Sequence, residues 1–292
     1  MLAFSLAFIC MTTLLAQLPR TNVYLFEILR TDTTVRLASP KFLTFFNENG
    51  YNNQPEFFDD DELYLTVKLA FENQTDLYRL NLTEGTKTKI TATQEGEYSP
   101  KLMPDKYHFS AVRQEIIGAD TVQRLWQFPL DRVTNGKPVF KYINKVGYYH
   151  WISGTQVAVF MVDSPNYLAI ADTRTDDIIP VATNPGRCFK TLPNGNLAFV
   201  QKSNDGKWML MEKNMYRSNM SATSIVETLE GSEDFAVLPN GTFLMGKGSK
   251  LYKFNRFHDK EWVEVADLRF YKITDITRIA ISQDMKLAIV AD

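Results

Sequence analysis

Leu192-Pro193-Asn194-Gly195-Asn196-Leu197-Ala198-Phe199 and Leu238-Pro239-Asn240-Gly241-Thr242-Phe243-Leu244-Met245 are near copies of one another, 46 residues apart. In each, an Asn-Gly pair stands between two apolar stretches. Asn-Gly supplies the positive φ angles that a tight hairpin turn demands, so both segments read as strand, turn, strand. The same local pattern recurs four more times along the chain, with turns at Asp61, Asp105, Gly154 and Met285. From Asp61 to Met285 the six turns are spaced by 44, 49, 41, 46 and 44 residues. A strand follows each of them, as in Leu63-Tyr64-Leu65, Tyr107-His108-Phe109, Gln156-Val157-Ala158 and Leu287-Ala288-Ile289. A period near 45 with strand content alone is what one four-stranded propeller blade occupies.

The remainder of each repeat supplies two further strands. Thr75 to Leu82 alternates before the Glu84-Gly85 turn, and Thr86 to Thr91 follows as a polar outer strand. Gln123 to Leu130 and Lys250 to Phe254 repeat the pattern, and their lysines and threonines discourage edge pairing. The sixth repeat stops after two strands, at Asp292. The missing pair is expected from Asn22 to Ile28 and Thr34 to Leu37. The expected fold is all-β: a single six-bladed β-propeller over 17–292, its last blade closed by two N-terminal strands. Aromatic residues are 13% of the chain, and Phe57, Trp126, Trp151, Phe189 and Phe235 are the candidates for packing between blades.

Residues 1–16 form an apolar stretch broken by Ser5, Thr12 and Thr13. It is short for a spanning helix, which needs about 20 residues, and fits a cleaved signal peptide, with a retained anchor as the alternative. Cys10 lacks the small preceding residue that a lipid-attachment motif requires. A periplasmic or secreted protein is expected, with no stable membrane insertion once the leader is removed. Cys188 would then be unpaired and is read as a buried structural thiol. With 32 basic and 34 acidic residues the net charge is −2, which argues against a nucleic-acid partner.

Asn53-Gln54-Pro55-Glu56-Phe57-Phe58-Asp59-Asp60 and Glu97-Tyr98-Ser99-Pro100-Lys101-Leu102-Met103-Pro104-Asp105 resemble the Pro-x-aromatic-Ser-Pro-Asp-Gly signature of TolB-type propeller repeats. Asp76-Leu77-Tyr78-Arg79-Leu80-Asn81-Leu82, with Gly85 and Lys89-Ile90-Thr91, resembles the rest of that repeat. The likeness runs from Tyr51 to Val112; beyond it only the hairpins remain. The glycine after Pro-Asp is replaced by Glu62 and Lys106. The resemblance implies a partner-binding module of the cell envelope and carries over no catalytic residues.

Residues just before each inner strand are expected at one mouth of the central channel, where convergent polar groups mark a binding site. They include Asn53, Glu97, Tyr149, His150, Arg187, Glu233, Asp234 and Arg278. The expectation is a non-catalytic propeller that binds a protein or an envelope glycan there, without a cofactor. The alternative is a lactonase or glycan lyase using Glu97, His150, Arg187 and Glu233, with calcium on Glu97, Glu233, Asp234 and Asp275 as the divalent option. Three histidines that do not share a mouth position argue against a zinc site. The run Asp59-Asp60-Asp61-Glu62 lies at a hairpin tip and reads as a solvated turn.

Overall fold

The computed structural model describes residues 18–292 apart from 32, 49, 119 and 218. The expected signal peptide and Cys10 lie outside the described residues. The chain forms six antiparallel four-stranded sheets. Blade 1 comprises Tyr51–Phe57, Glu62–Lys68, Asp76–Asn81 and Thr86–Lys89, from the channel outward. Blade 2 comprises Gly96–Leu102, His108–Ile117, Asp120–Pro129 and Lys137–Pro138. Blade 3 follows with Val146–Trp151, Gln156–Met161, Tyr167–Asp172 and Ile178–Thr183. Blade 4 comprises Pro185–Thr191, Leu197–Lys202, Trp208–Lys213 and Thr223–Glu227. Blade 5 comprises Phe235–Val237, Phe243–Lys247, Lys250–Phe254 and Val263–Asp267.

Blade 6 is shared between the chain ends. Ile276–Ile281 and Lys286–Ala291 pair with Asn22–Arg30, which pairs with Val35–Phe42. The seam runs from Asn22 opposite Ala291 to Glu27 opposite Lys286, so the expected closure is the one observed. Inner strands of blades 6 and 1 touch, which completes the ring. Two short 3-10 turns, Phe45–Asn47 and Arg269–Tyr271, are the helical content of the described residues.

All six inner hairpins are tied by a side-chain oxygen at the tip. Asp59, Asp105, Asn194 and Asn240 each accept a backbone N–H two residues on, and Ser153 and Ser282 accept from Gln156 and Lys286. Such short polar side chains mimic the backbone of a turn, which is why they recur at the repeat interval. Asp60 also accepts the Asp284 N–H at 2.9 Å, so the acidic tip fastens blade 1 to blade 6. The expected outer strand Thr86 to Thr91 ends at Lys89, because Thr91 turns inward and its hydroxyl accepts the Leu77 N–H at 2.8 Å.

The first two inner strands share a bulge at Gln54-Pro55 and Ser99-Pro100, where Gln54 and Ser99 have positive φ. The bulges interlock: Gln54 Oε1 accepts both the Ser99 N–H, at 2.8 Å, and the Thr66 hydroxyl, at 2.7 Å. Rings fill the seams between blades, with Trp151, Phe189 and Phe235 buried, while Trp126 stacks on Phe128 of its own strand. Among the described residues no helix is long and apolar enough to cross a membrane.

Candidate functional site

Blades 4, 5 and 6 bring four of the expected residues together at one mouth. Arg187 is the third residue of its inner strand, Glu233 and Asp234 immediately precede the inner strand of blade 5, and Arg278 is the third residue of the inner strand of blade 6. Gly186 permits the approach: a Cβ there would lie 2.9 Å from Val200 and 3.2 Å from the Glu233 Cβ. Arg187 Nε stands 3.2 Å from Glu233 Oε1, and Lys202 Nζ pairs with the other oxygen. Arg278 Nη1 lies 3.6 Å from Asp234 Oδ2, while Asp234 Oδ1 accepts the Ile279 N–H at 2.8 Å. The Arg278 guanidinium also sits 5.2 Å from the Tyr148 ring centre, a cation–π contact.

These groups line a cleft of about 320 Å³ together with Ser232, Lys247, Asp275 and Thr277. Burial pushes the Asp234 carboxyl up, against the opposing pull of Arg278 and Arg187. Burial also works against the Arg278 charge, but Asp234, Tyr148 and Tyr51 more than offset it and hold the guanidinium protonated. The Tyr51 hydroxyl is pushed up to about 12, chiefly by burial.

The other expected residues do not join this cluster. Adjacent strand residues point to opposite faces, so Tyr149 and His150 cannot both line the channel. The Tyr149 ring is buried in the blade seam, its hydroxyl 2.9 Å from both the Ser99 carbonyl and Ser110 Oγ. His150 Nε2 accepts the Thr191 N–H at 3.1 Å and lies 2.9 Å from the Thr191 hydroxyl. Thr191 is four residues beyond Arg187 on one strand, which at about 3.3 Å per residue sets His150 roughly 13 Å away along the channel. Burial, with Lys101 and Lys190 nearby, holds the imidazole well below its usual range and neutral.

Glu97 corrects the mouth expectation most clearly. It is fully buried in the wall, where Oε1 accepts from Arg113 Nε at 3.1 Å and from the Thr93 hydroxyl. Asn53 is buried too, its Oδ1 accepting the Gln54 N–H at 2.8 Å within the bulge. Cys188 is buried as expected; its Sγ donates to the Phe235 carbonyl at 3.2 Å, and burial pushes the thiol up to about 12.

Deeper in, a lumen of about 60 Å³ is lined from all six blades. Two groups there were not singled out from the sequence: Lys190, and the Glu56–Lys101 pair at 3.0 Å. The pair had a readable signal, since Glu56 and Lys101 each follow the proline of the same repeat motif. Lys190 and Lys202 had none. Among the described residues no three of His, Cys, Asp and Glu come together as a metal-ligand group.

No family model matches the sequence, and neither does any curated protein. Solved structures do match in shape. A candidate TolB from Agrobacterium tumefaciens superimposes with a TM-score of 0.65 at 13% identity, over 93% of this chain and 98% of that one. The fold is that of a TolB-like six-bladed propeller. An oligogalacturonate lyase from Vibrio parahaemolyticus gives a TM-score of 0.52 at 10% identity, over 94% and 98% of the two chains. An oligogalacturonate lyase in complex with manganese gives 0.55 at 12% identity, over 86% and 79%. One ring thus hosts both a TolB and a lyase, so function has to be argued from the residues at the mouth.

Proposed function

We propose that this chain is an exported, periplasmic or secreted, non-catalytic propeller that captures a protein partner through its channel mouth. The observation that carries this reading is the state of the mouth charges. Glu233 is held between Arg187 and Lys202, and Asp234 between Arg278 and a backbone N–H. Paired carboxylates of this kind are fixed recognition elements. Their oxygens are committed to cations and a backbone N–H, which leaves no free proton path of the kind a general acid or base needs. The cleft above them is wide and polar, which suits a surface loop or an extended segment with charges of its own.

The lactonase or lyase reading requires Glu97, His150, Arg187 and Glu233 at one place. Glu97 lies inside the wall and His150 at the far end of the channel, so that set does not assemble. Among the described residues that line the cleft none is aromatic, so no ring platform there favours a glycan over a protein.

The test is capture from the detergent-solubilised envelope of the source organism, with the wild type and an Arg187→Glu, Lys247→Glu double variant as baits. A protein retained by the wild type and lost from the double variant is the expected result. Turnover of oligogalacturonides or of aldonolactones by the wild type, abolished by Glu233→Gln, would overturn the reading.

A further inference from the structure

The lumen below the mouth carries more cations than carboxylates. Lys101, Arg187, Lys190 and Arg278 line it, against Glu56 and Asp234. Glu56 pairs with Lys101 and Asp234 with Arg278, while Arg187 turns to Glu233 outside. Lys190 is the remainder: its ammonium makes no hydrogen bond or ion pair with any described residue.

From this placement we propose that the lumen is a binding site for one small monovalent anion, a halide or a free carboxylate, held by the Lys190 ammonium and bordered by Lys101 and Arg278. An ammonium offers three donors, and in a confined space an uncompensated charge is costly unless a counter-ion meets it. The competing acceptors are already engaged. His150 Nε2 accepts from Thr191, and the Tyr149 hydroxyl is committed to the seam between blades. Lys190 stays protonated: burial opposes its charge, but the carboxylates of Glu56 and Asp234 raise its proton affinity. The lumen, at about 60 Å³, exceeds the 10–15 Å³ or so that one water needs, so an anion with part of its hydration fits.

The experiment is ³⁵Cl NMR line broadening and thermal melting of the purified protein, titrated with sodium chloride or sodium formate at constant ionic strength. Sodium gluconate, too large for the lumen, makes up the balance. The expected result is saturable chloride broadening that formate reverses, with a matching rise in melting temperature and a tenfold or greater loss of affinity in Lys190→Met. Response to chloride but not formate assigns the site to halides, and the reverse assigns it to carboxylates. Absence of any saturable response above gluconate, or an unchanged affinity in Lys190→Met, would overturn the proposal. A bromide-soaked crystal of the wild type tests the halide case without any variant. An anomalous peak within hydrogen-bond distance of Lys190 Nζ supports the site; a peak only elsewhere, or none in a protein that also shows no saturable response to formate, overturns it. No readout involves the captured protein, so this inference and the capture reading fail separately.

Discussion

Blades 1 and 2 and blades 4 to 6 are copies of one repeat that place their charges differently. Between blades 1 and 2 the charges are inside the wall. Glu97 and Arg113 form a buried pair, and the Arg113 guanidinium lies 4.0 Å from the Trp126 ring centre and 5.1 Å from that of Phe128. Between blades 4, 5 and 6 the corresponding charges line the cleft, with Arg187 and Glu233 half-buried and Asp234 and Arg278 more deeply set. The bulges explain the contrast. In blades 1 and 2, Gln54-Pro55 and Ser99-Pro100 interlock and close the seam at mid-channel, so polar groups near it must find partners within the protein. The later blades lack the Gln/Ser-Pro bulge, and Gly186 leaves room for Glu233 to stand beside Arg187. One half of the ring is built as a wall and the other as a site.

The largest effect tests what both halves share. Deleting residues 22–37 removes the strand Asn22–Arg30 and the start of Val35–Phe42 from blade 6 and opens the ring, and the expected outcome is loss of a cooperative unfolding transition by circular dichroism. A truncated protein that still melts sharply would show that closure is dispensable. Next comes the contrast itself. Arg113→Ala leaves the fully buried Glu97 carboxylate unpaired and is expected to cost about 3–5 kcal/mol. Arg187→Ala removes a half-exposed partner from a carboxylate that keeps Lys202, and is expected to cost less than about 1 kcal/mol. Chemical denaturation of the two variants measures the difference. Equal costs would mean that the mouth is as structural as the wall.

The blade count, the hairpins and the shared sixth blade were legible because each rests on local chemistry that repeats: turn residues at fixed intervals and strands that alternate. The mouth was half legible. Arg187, Glu233, Asp234 and Arg278 were found because they sit at the same place in successive repeats. Tyr149 and His150 are neighbours at the start of one strand and so share a place in the repeat, but the pleat sends them to opposite faces. Glu97 was misplaced because whether a charge at that position faces water or a seam depends on the blade beside it, which a single repeat does not specify. Lys190 carries no pattern at all; its isolation is a property of six strands meeting.

A smaller effect probes the far end of the channel. His150 has its proton affinity lowered in the folded protein, first by burial and then by Lys101 and Lys190. The unfolded chain therefore binds a proton that the folded one refuses. The contribution of neutral His150 is fully present above the unfolded pKa near 6.5 and is lost as pH falls below it, by at most about 1.4 kcal/mol per pH unit for one proton. Melting temperature should decline between pH 6.5 and pH 5, and His150→Gln should flatten that part of the profile. An unchanged slope in the variant would place the decline on other groups, and would mean that the far end of the channel is wetter than its geometry implies.

The smallest effect returns to the repeat. Blades 2 and 5 use similar inner turns, but Lys106 occupies the left-handed conformation at φ 60° where blade 5 has Gly241 at φ 79°. A side chain in that region costs about 1–2 kcal/mol relative to its preferred backbone, whereas glycine adopts it freely. Lys106→Gly therefore relieves strain, offset by the extra entropy of glycine in the unfolded chain, for a net gain of about 0.5 kcal/mol. Gly241→Ala introduces the strain with no steric clash to confuse the result, because nothing lies within 4 Å of the added Cβ, and is expected to cost about 1 kcal/mol. Opposite signs in the two blades would show that the departures of the early repeats from the Asp-Gly pattern are tolerated strain. The same sign in both would mean that the His108 Nδ1 contact to Asp105 Oδ2, at 2.8 Å, has re-stabilised the blade 2 turn around its lysine.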